Sequence, residues 1–209
     1  MISYYKTDIE EDIPKIIKNK PLYNEWYQII KEILHNQEFQ KRKLFPHHKD
    51  LSVWTHSILV SYNAFIAAKY FNADDKICAI AGLLHDFYPW SWIENDIIKE
   101  LDSGYYMNYR NTKHKFFKQH GFIHGKAASE NYIKYFPELE NKKITNAIRR
   151  HMFPLTIIPP RYKEGFIVST IDKINSVHEL PDIYTMADIV YKKSTKEIIK
   201  IGNKIKNNY

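Results

Sequence analysis

The sequence predicts an all-α protein of one domain, a helical bundle of about seven or eight helices. Apolar residues recur at the three- and four-residue steps of a helix, and no segment has a convincing strand pattern. Only 6 of the 209 residues are glycine although 44% are hydrophobic, so the chain suits long helices better than many short strands. A chain of this length commonly forms one domain with a substantial core.

The first predicted helices lie in the N-terminal quarter of the chain. Residues 8–36 are expected to form a helical pair that Pro21 interrupts. Ser52 can cap a longer helix that ends near Phe71. The expected core positions of that helix are Trp54, Ile58, Tyr62 and Phe65.

The next predicted helix starts at Asp74 or Asp75 and ends near Asp86. Gly82 lies inside it and would let a neighbouring helix approach closely, at a propensity cost of about 1 kcal/mol relative to alanine. Residues 87–123 show no regular pattern. Connections of this length are usually functional or contain helices of their own.

The second half of the chain contains four more predicted helices. They cover residues 125–136, 142–151, 163–180 and 182–206. The last of them is rich in lysine, and a solvated face is the favoured interpretation of that pattern.

Composition limits the class of protein. Cys78 is the single cysteine, so a disulfide framework and a cysteine-based metal knuckle are both excluded. No run of 18 apolar residues and no signal-like N-terminus is present, so we expect a cytoplasmic protein without a membrane partner. The net charge of +7 suits a polyanionic ligand, although the abundance of Lys, Asn, Ile and Tyr also fits AT-rich coding DNA.

Several polar residues fall on faces that should be buried. His56 borders an apolar stripe, since Leu59 and Val60 follow it at helical spacing. His85 and Asp86 end an apolar helix, and burying an unpaired carboxylate costs several kcal/mol. A metal ion would remove that cost.

Three further residues fit the same interpretation. His151 continues an apolar helical face, Asp172 lies within an apolar helix, and His124 precedes the expected helix start at Gly125. Imidazole and carboxylate ligands together favour Zn, Fe or Mn over Ca. Any one of these residues alone would more often be an ordinary core residue, and only the set indicates a metal site.

The ordered pattern of His56, Leu83-Leu84-His85-Asp86 and Asp172-Lys173 resembles the HD-domain superfamily of metal-dependent phosphohydrolases. The resemblance spans residues 50–180. Within the superfamily, residues 120–128 and 150–162 are similar to a small group of bacterial HD proteins.

The resemblance implies a metal site and a catalytic role for Asp86. One divalent ion would be held by His56, His85, Asp86 and Asp172. His124 and His151 would hold a second ion that Asp86 bridges, with a water or hydroxide between the ions as the nucleophile. The metal could be Fe, Mn, Zn, Co or Ni.

The resemblance also suggests an organisation of the chain. Residues 1–50 would form an N-terminal helical extension packed on the core, residues 51–180 the metal-binding HD core, and residues 181–209 a basic C-terminal helix. Many family members continue the His-Asp pair with Ile-Gly-Lys, whereas this chain continues with Phe87-Tyr88-Pro89. The lysine that could approach a substrate phosphate there is missing.

Other cations are candidates for contact with the substrate. Residues 87–123 could form a lid that carries cations and aromatic rings, or an ordinary surface loop. The candidate phosphate-binding residues are Lys126, Arg161, Lys173, Arg110 and Lys113.

Three functions are compatible with these residues. The leading hypothesis is hydrolysis of a phosphomonoester or phosphodiester, with a nucleotide or dinucleotide as the small anionic substrate. A di-iron oxygenase on the same fold is the second hypothesis. The third is a module that binds a nucleotide or nucleic acid without turnover, although the chain contains no recognised nucleic-acid motif. The sequence sets no expectation for the oligomeric state.

Overall fold

The computed structural model describes residues 12–47, 51–91 and 120–178, and every regular element in them is helical. The α-helices are α1 Lys15–Lys18, α2 Tyr23–His35, α3 Gln37–Gln40, α4 Val53–Tyr70, α5 Asp75–Leu84, α6 His120–Tyr135, α7 Lys142–Arg150 and α8 Lys163–His178. Short 3-10 helices cover Lys41–Leu44 and Pro137–Leu139. The all-α prediction is confirmed. The predicted helix over 182–206 lies outside the described residues.

Helices α4 and α5 form the centre of the bundle, and α8 packs against both. Their start sites follow the capping signals in the sequence. The Ser52 hydroxyl accepts a hydrogen bond from the Thr55 N–H at 3.2 Å, and the Asp74 carboxylate accepts one from the Ile77 N–H at 3.1 Å. The four predicted core residues of α4 are all buried, and they are Trp54, Ile58, Tyr62 and Phe65.

Gly82 lies where α5 crosses α4. A Cβ atom at this position would be 2.9 Å from the Ser61 Cα, which is closer than side chains allow. The Ser61 hydroxyl donates to the Ala79 carbonyl at 2.7 Å and accepts from the Trp26 indole N–H at 2.9 Å. Helices α2, α4 and α5 therefore meet at one point, and the expected close approach at Gly82 is present.

Replacing Gly82 by alanine is expected to lower the free energy of unfolding by about 1–3 kcal/mol, because backbone must move to admit the methyl group. Urea unfolding monitored by circular dichroism measures the change. Gly121→Ala is the matched control, since among the described residues its Cβ would meet the flexible ends of two side chains, Met152 and the exposed Leu155, and no backbone. That variant should be neutral or gain up to about 1 kcal/mol from helix propensity. Equal losses in both variants would contradict the explanation.

The segment before α4 is joined to the core by buried polar contacts. The Arg42 guanidinium is fully buried, donates to the Tyr88 carbonyl, and pairs with the Glu38 carboxylate at 2.7 Å. It also lies 4.4 Å from the Phe45 ring centre and 5.0 Å from that of Phe87. These contacts attach residues 38–45 to the chain immediately after Asp86.

The start of α6 corrects one prediction. The described part of the helix covers His120–Tyr135, whereas the sequence analysis placed its start at Gly125 and left His124 before it. Gly125 is inside the helix because α6 passes close to the end of α7: a Cβ there would be 3.1 Å from the Arg149 carbonyl oxygen. The glycine marks a helix crossing and not a helix start. Of the helices described, none has both the length and the apolar character needed to cross a membrane.

Candidate metal centre

The six residues singled out as metal ligands come from five places in the fold and are all buried. His56 lies in α4, His124 in α6 and Asp172 in α8, whereas His85 and Asp86 directly follow α5 and His151 directly follows α7. Helices α4, α5, α7 and α8 pack on one another, and α6 packs on α7. The bundle therefore turns all six side chains toward one region.

One group of ligand atoms is formed by His56, His85 and Asp172. The Nε2 atom of His56 is 3.2 Å from the Nε2 atom of His85 and 3.1 Å from Oδ1 of Asp172. The His85 Nε2 atom is 3.4 Å from that same oxygen. All three side chains are buried, and together they could hold one ion.

A second group is formed by His124, His151 and Asp86. The Nε2 atoms of His124 and His151 are 2.8 Å apart. Oδ1 of Asp86 is 3.3 Å from the His124 Nε2 atom and 3.6 Å from the His151 Nε2 atom. The other Asp86 oxygen, Oδ2, faces the first group and is 3.5 Å from the His85 Nε2 atom. Asp86 thus places one oxygen toward each group.

The tautomers of three histidines follow from their backbone contacts. The Nδ1 atoms of His85, His124 and His151 lie 2.8, 2.7 and 2.7 Å from carbonyl oxygens of the preceding turn. A carbonyl only accepts, so each Nδ1 carries the proton and a neutral ring directs its Nε2 lone pair inward. Lone pairs that face each other repel unless a cation lies between them.

These distances suit a bound metal ion. Ligand atoms that lie about 2.0–2.2 Å from a shared ion are about 3.0–3.5 Å apart in adjacent positions. The nitrogen and oxygen atoms described above are 2.8–3.6 Å apart. Oδ1 of Asp86 is also a buried oxygen without a hydrogen-bond partner, which is costly unless a cation satisfies it. The residues present therefore fit a divalent metal.

Comparison with known proteins agrees with this geometry. The family model described as HD domain matches residues 53–176, which is more than half of the chain. The chain belongs to the HD domain family. Proteins of this family are generally metal-dependent hydrolases that hold divalent metals, and the match includes all six predicted ligands. No curated protein and no solved structure matches the chain.

The electrostatics of the HD site favour positive charge at its centre. Burial alone would raise the pKa of Asp86, but the four neighbouring histidines hold it well below its ordinary value. Burial likewise opposes ionisation of Asp172, whose contacts with His56 and His85 lower its pKa. The pKa of His85 is raised, because Asp86 and Asp172 outweigh the cost of burying its charge. The two carboxylates therefore favour positive charge at His85, as they would favour a bound cation.

The pKa of His151 is shifted in the opposite direction to that of His85. Burial and the nearby His124 and His85 lower its pKa to about 3, so its ring is neutral at physiological pH. A neutral imidazole is the form that binds metal ions.

The structure places the predicted phosphate-binding cations in different surroundings. Lys126 is exposed on α6 and lies 3.6 Å from the Glu130 carboxylate. Arg161 is exposed, and its guanidinium lies 5.8 Å from the Tyr162 ring centre. Arg110 and Lys113 lie outside the described residues, as does most of the predicted lid. Their contacts with a substrate stay predictions.

Lys173 makes contacts that explain it without a substrate. Its ammonium donates to the His151 carbonyl at 2.7 Å, the Ser169 carbonyl at 3.1 Å and the Ser169 hydroxyl at 3.0 Å. The Ser169 hydroxyl in turn donates to the His151 carbonyl at 2.6 Å. An ammonium group has three N–H donors, and these three acceptors use all of them. Lys173 therefore fixes the backbone of His151.

Replacing Lys173 by methionine is expected to lower the free energy of unfolding by about 1–3 kcal/mol, because the His151 carbonyl loses a charged donor. Chemical denaturation of the metal-free protein measures the loss. Lys126→Met is the control and should change stability by less than about 0.5 kcal/mol, since Lys126 is exposed. A higher KM in Lys173→Met with unchanged stability would instead support the predicted substrate contact.

Two buried or part-buried histidines beside the site were not anticipated from the sequence. His47 stacks on His56 with ring centres 3.9 Å apart, and His120 stacks on His124 at 4.4 Å. His120 precedes His124 by one helical turn, so a helix predicted to start earlier would have placed both on one face. His47 precedes the N-cap of α4 by five residues, and only a long-range contact brings it to the site.

Proposed function

We propose that this HD-domain protein is a metal-dependent phosphohydrolase with two metal positions. The position of the Asp86 carboxylate between two groups of histidines supports this proposal. This residue directs Oδ2 toward His85 and Oδ1 toward His124 and His151, as a carboxylate that bridges two ions would. Divalent ions in these positions would lower the pKa of a bound water and neutralise a phosphoryl oxygen.

The residues of the chain would perform three tasks in this reaction. Asp86 would supply the negative charge shared by the two ions, and the histidines, whose Nδ1 atoms contact backbone carbonyls, would offer their Nε2 lone pairs as ligands. Backbone carbonyls hold those rings in the ligating tautomer, which is how surrounding groups commonly tune a metal site. Nothing in this scheme requires a side-chain nucleophile.

The proposed substrate is a small phosphate ester, and a nucleotide or dinucleotide is favoured. The net charge of +7 supports an anionic substrate. The candidate contacts are Lys126, Arg161, Lys173, Arg110 and Lys113. A cytoplasmic location and the division into residues 1–50, 51–180 and 181–209 also stay predictions.

The experiment that tests the proposal combines metal analysis with a substrate screen. Purified protein is stripped of metal, reloaded with Fe, Mn, Co or Zn, and analysed for bound metal per chain. Each form is then assayed for phosphate release from nucleotides, dinucleoside polyphosphates and cyclic dinucleotides. We expect up to two ions per chain and metal-dependent release.

Three other results would contradict the proposal. Protein that retains no stoichiometric metal has no metal centre. Oxygen consumption by the iron-loaded form, without phosphate release, would favour the oxygenase hypothesis. Salt-sensitive binding of nucleic acid or nucleotide without any product would favour the binding module.

A further inference from the structure

His47 is held beside the HD site by its backbone. Its N–H donates to the Leu51 carbonyl at 2.9 Å, and the Val53 N–H donates to the Phe45 carbonyl at 2.8 Å. Pro46 and Ser52 form an isolated antiparallel bridge between these two contacts. Residues 45–47 are thus fixed against the start of α4, which carries His56 one turn later.

The side chain of His47 joins the first group of ligand atoms. Its ring is buried and nearly parallel to that of His56, at an interplanar angle of 17°. Its Nε2 atom lies 3.6 Å from Oδ2 of Asp86. Ligand atoms of His47, His56 and Asp86 all lie within 4.8 Å of one another, so these three residues could also hold an ion.

We propose that His47 is a fifth protein ligand of the ion held by His56, His85, Asp86 and Asp172. The separation of 3.6 Å from Asp86 is long for a hydrogen bond. Ligand atoms in adjacent positions of one ion are about 3.0–3.5 Å apart, and the separation of 3.6 Å is close to that range. The set of His47, His56 and Asp86 shares His56 with the set of His56, His85 and Asp172. The Asp86 Oδ2 atom is also 3.5 Å from the His85 Nε2 atom, so both sets can surround one ion.

The position of His47 in the chain makes it a feature beyond the family pattern. The match to the HD domain begins at residue 53, so His47 belongs to the segment that precedes the family core. Five protein ligands leave one open position on an octahedral ion. The first ion would then bind more tightly and would offer a substrate or water a single position.

His120 is the instructive comparison. It stacks on His124 as His47 stacks on His56, with ring centres 4.4 Å apart. Burial and the neighbouring His124 lower its pKa to about 2, and its backbone carbonyl accepts a hydrogen bond from the His124 Nδ1–H. His120 is a positioning residue for His124, whereas His47 faces the carboxylate itself.

The test uses Co²⁺, whose visible absorption reports its ligands, and it rests on the proposed metal centre. Wild type, His47→Ala and His47→Phe are titrated with Co²⁺, and the dissociation constant and absorption spectrum are measured. We expect both variants to bind the tighter ion about 10–100-fold more weakly, with an altered spectrum. His35→Ala removes an exposed histidine at the end of α2 and should match wild type.

The possible failures are distinguishable. Wild type that binds no Co²⁺ overturns the metal centre and, with it, the proposed function. Wild-type binding with an unchanged affinity and spectrum in both His47 variants overturns only the role of His47. The phenylalanine ring can keep the stacking on His56, so this variant decides the question if circular dichroism shows that His47→Ala is unfolded.

Discussion

Replacing Asp86 by asparagine is expected to reduce metal-dependent phosphate release by at least about 10³-fold. The amide keeps the size of the side chain and removes the charge that both groups of histidines surround. Loss of one preorganised electrostatic contact commonly costs 10²–10³-fold in rate, and Asp86 contacts both groups. Initial rates at saturating metal, together with metal content per chain, measure the effect.

Asp75→Asn is the matched control for this prediction. It changes a carboxylate at the start of α5, the helix that Asp86 follows, where the partner is the Lys69 ammonium on α4. Surface pairs of this kind contribute at most about 1 kcal/mol, so activity should stay within about twofold of wild type. Full activity and full metal content in Asp86→Asn would mean that the carboxylate does not hold the metal.

The fold was predictable wherever one short segment carries its own signal. Ser52 and Asp74 cap α4 and α5 as expected, because the side-chain oxygen of each accepts from an N–H three residues later. Asn141 caps α7 in a similar way, by accepting from the N–H of Lys143, two residues later, at 2.8 Å. Such local contacts do not depend on the rest of the fold.

The start of α6 was not predictable in this way. Gly125 looks like the boundary of a helix in the sequence, yet it serves the crossing of α6 over α7. The close contact with the Arg149 carbonyl exists only in three dimensions. Tertiary packing therefore overrides the local interpretation of this glycine.

In the candidate site, too, some residues have a local signal in the sequence and others depend on tertiary packing. His85 and Asp86 could be found from the apolar helix that precedes them, and the family pattern supplied their partners. The pairing of Asp86 oxygens with separate groups of histidines needed the packing of five helices. The approach of His47 also required the backbone bridge near Ser52, which leaves no pattern in the sequence.

The segment before the family core contributes to the site as well as to stability. Arg42 attaches it to the carbonyl of Tyr88, two residues after Asp86, and Asn131 of α6 donates to the Phe87 carbonyl at 2.8 Å. The chain that leaves Asp86 is therefore held from both sides. This restraint keeps the Asp86 carboxylate directed between the two groups of histidines, where its oxygens are in position to bind metal.

Adding a divalent metal to the metal-free protein at pH 7.5 is expected to raise its Tm by about 5–10 °C. A ligand at 100 times its dissociation constant stabilises the folded state by about 2.7 kcal/mol, and a domain of this size gains about 2–4 °C per kcal/mol. Thermal unfolding with and without Mn²⁺, Co²⁺ or Zn²⁺ measures the shift. Asp86→Asn should lose most of it, because Asp86 faces both groups.

The metal-free protein should also become less stable as the pH falls below about 6.5. His151 and His120 have folded-state pKa values of about 3 and about 2, whereas unfolded histidine has a pKa near 6.5. Between these limits the unfolded chain binds protons that the folded chain excludes, so stability decreases with acidification. The raised pKa of His85 has the opposite sign, since its contribution is complete below about 6.5 and is lost as pH rises through the folded value. His85 therefore does not oppose the change below about pH 6.5, and the two histidines with lowered pKa values give a net loss of stability in acid.

Metal should change the shape of this pH profile. Protons compete with the ion for the inward Nε2 atoms, so the metal-induced rise in Tm should itself shrink as pH falls from 7.5 to 5. Melting curves at each pH, with and without metal, separate the two effects. A site built from neutral imidazoles loses its ligands between pH 7.5 and 5. A metal-induced rise in Tm that is independent of pH, or equal in Asp86→Asn, would therefore mean that the ion binds elsewhere than at these histidines.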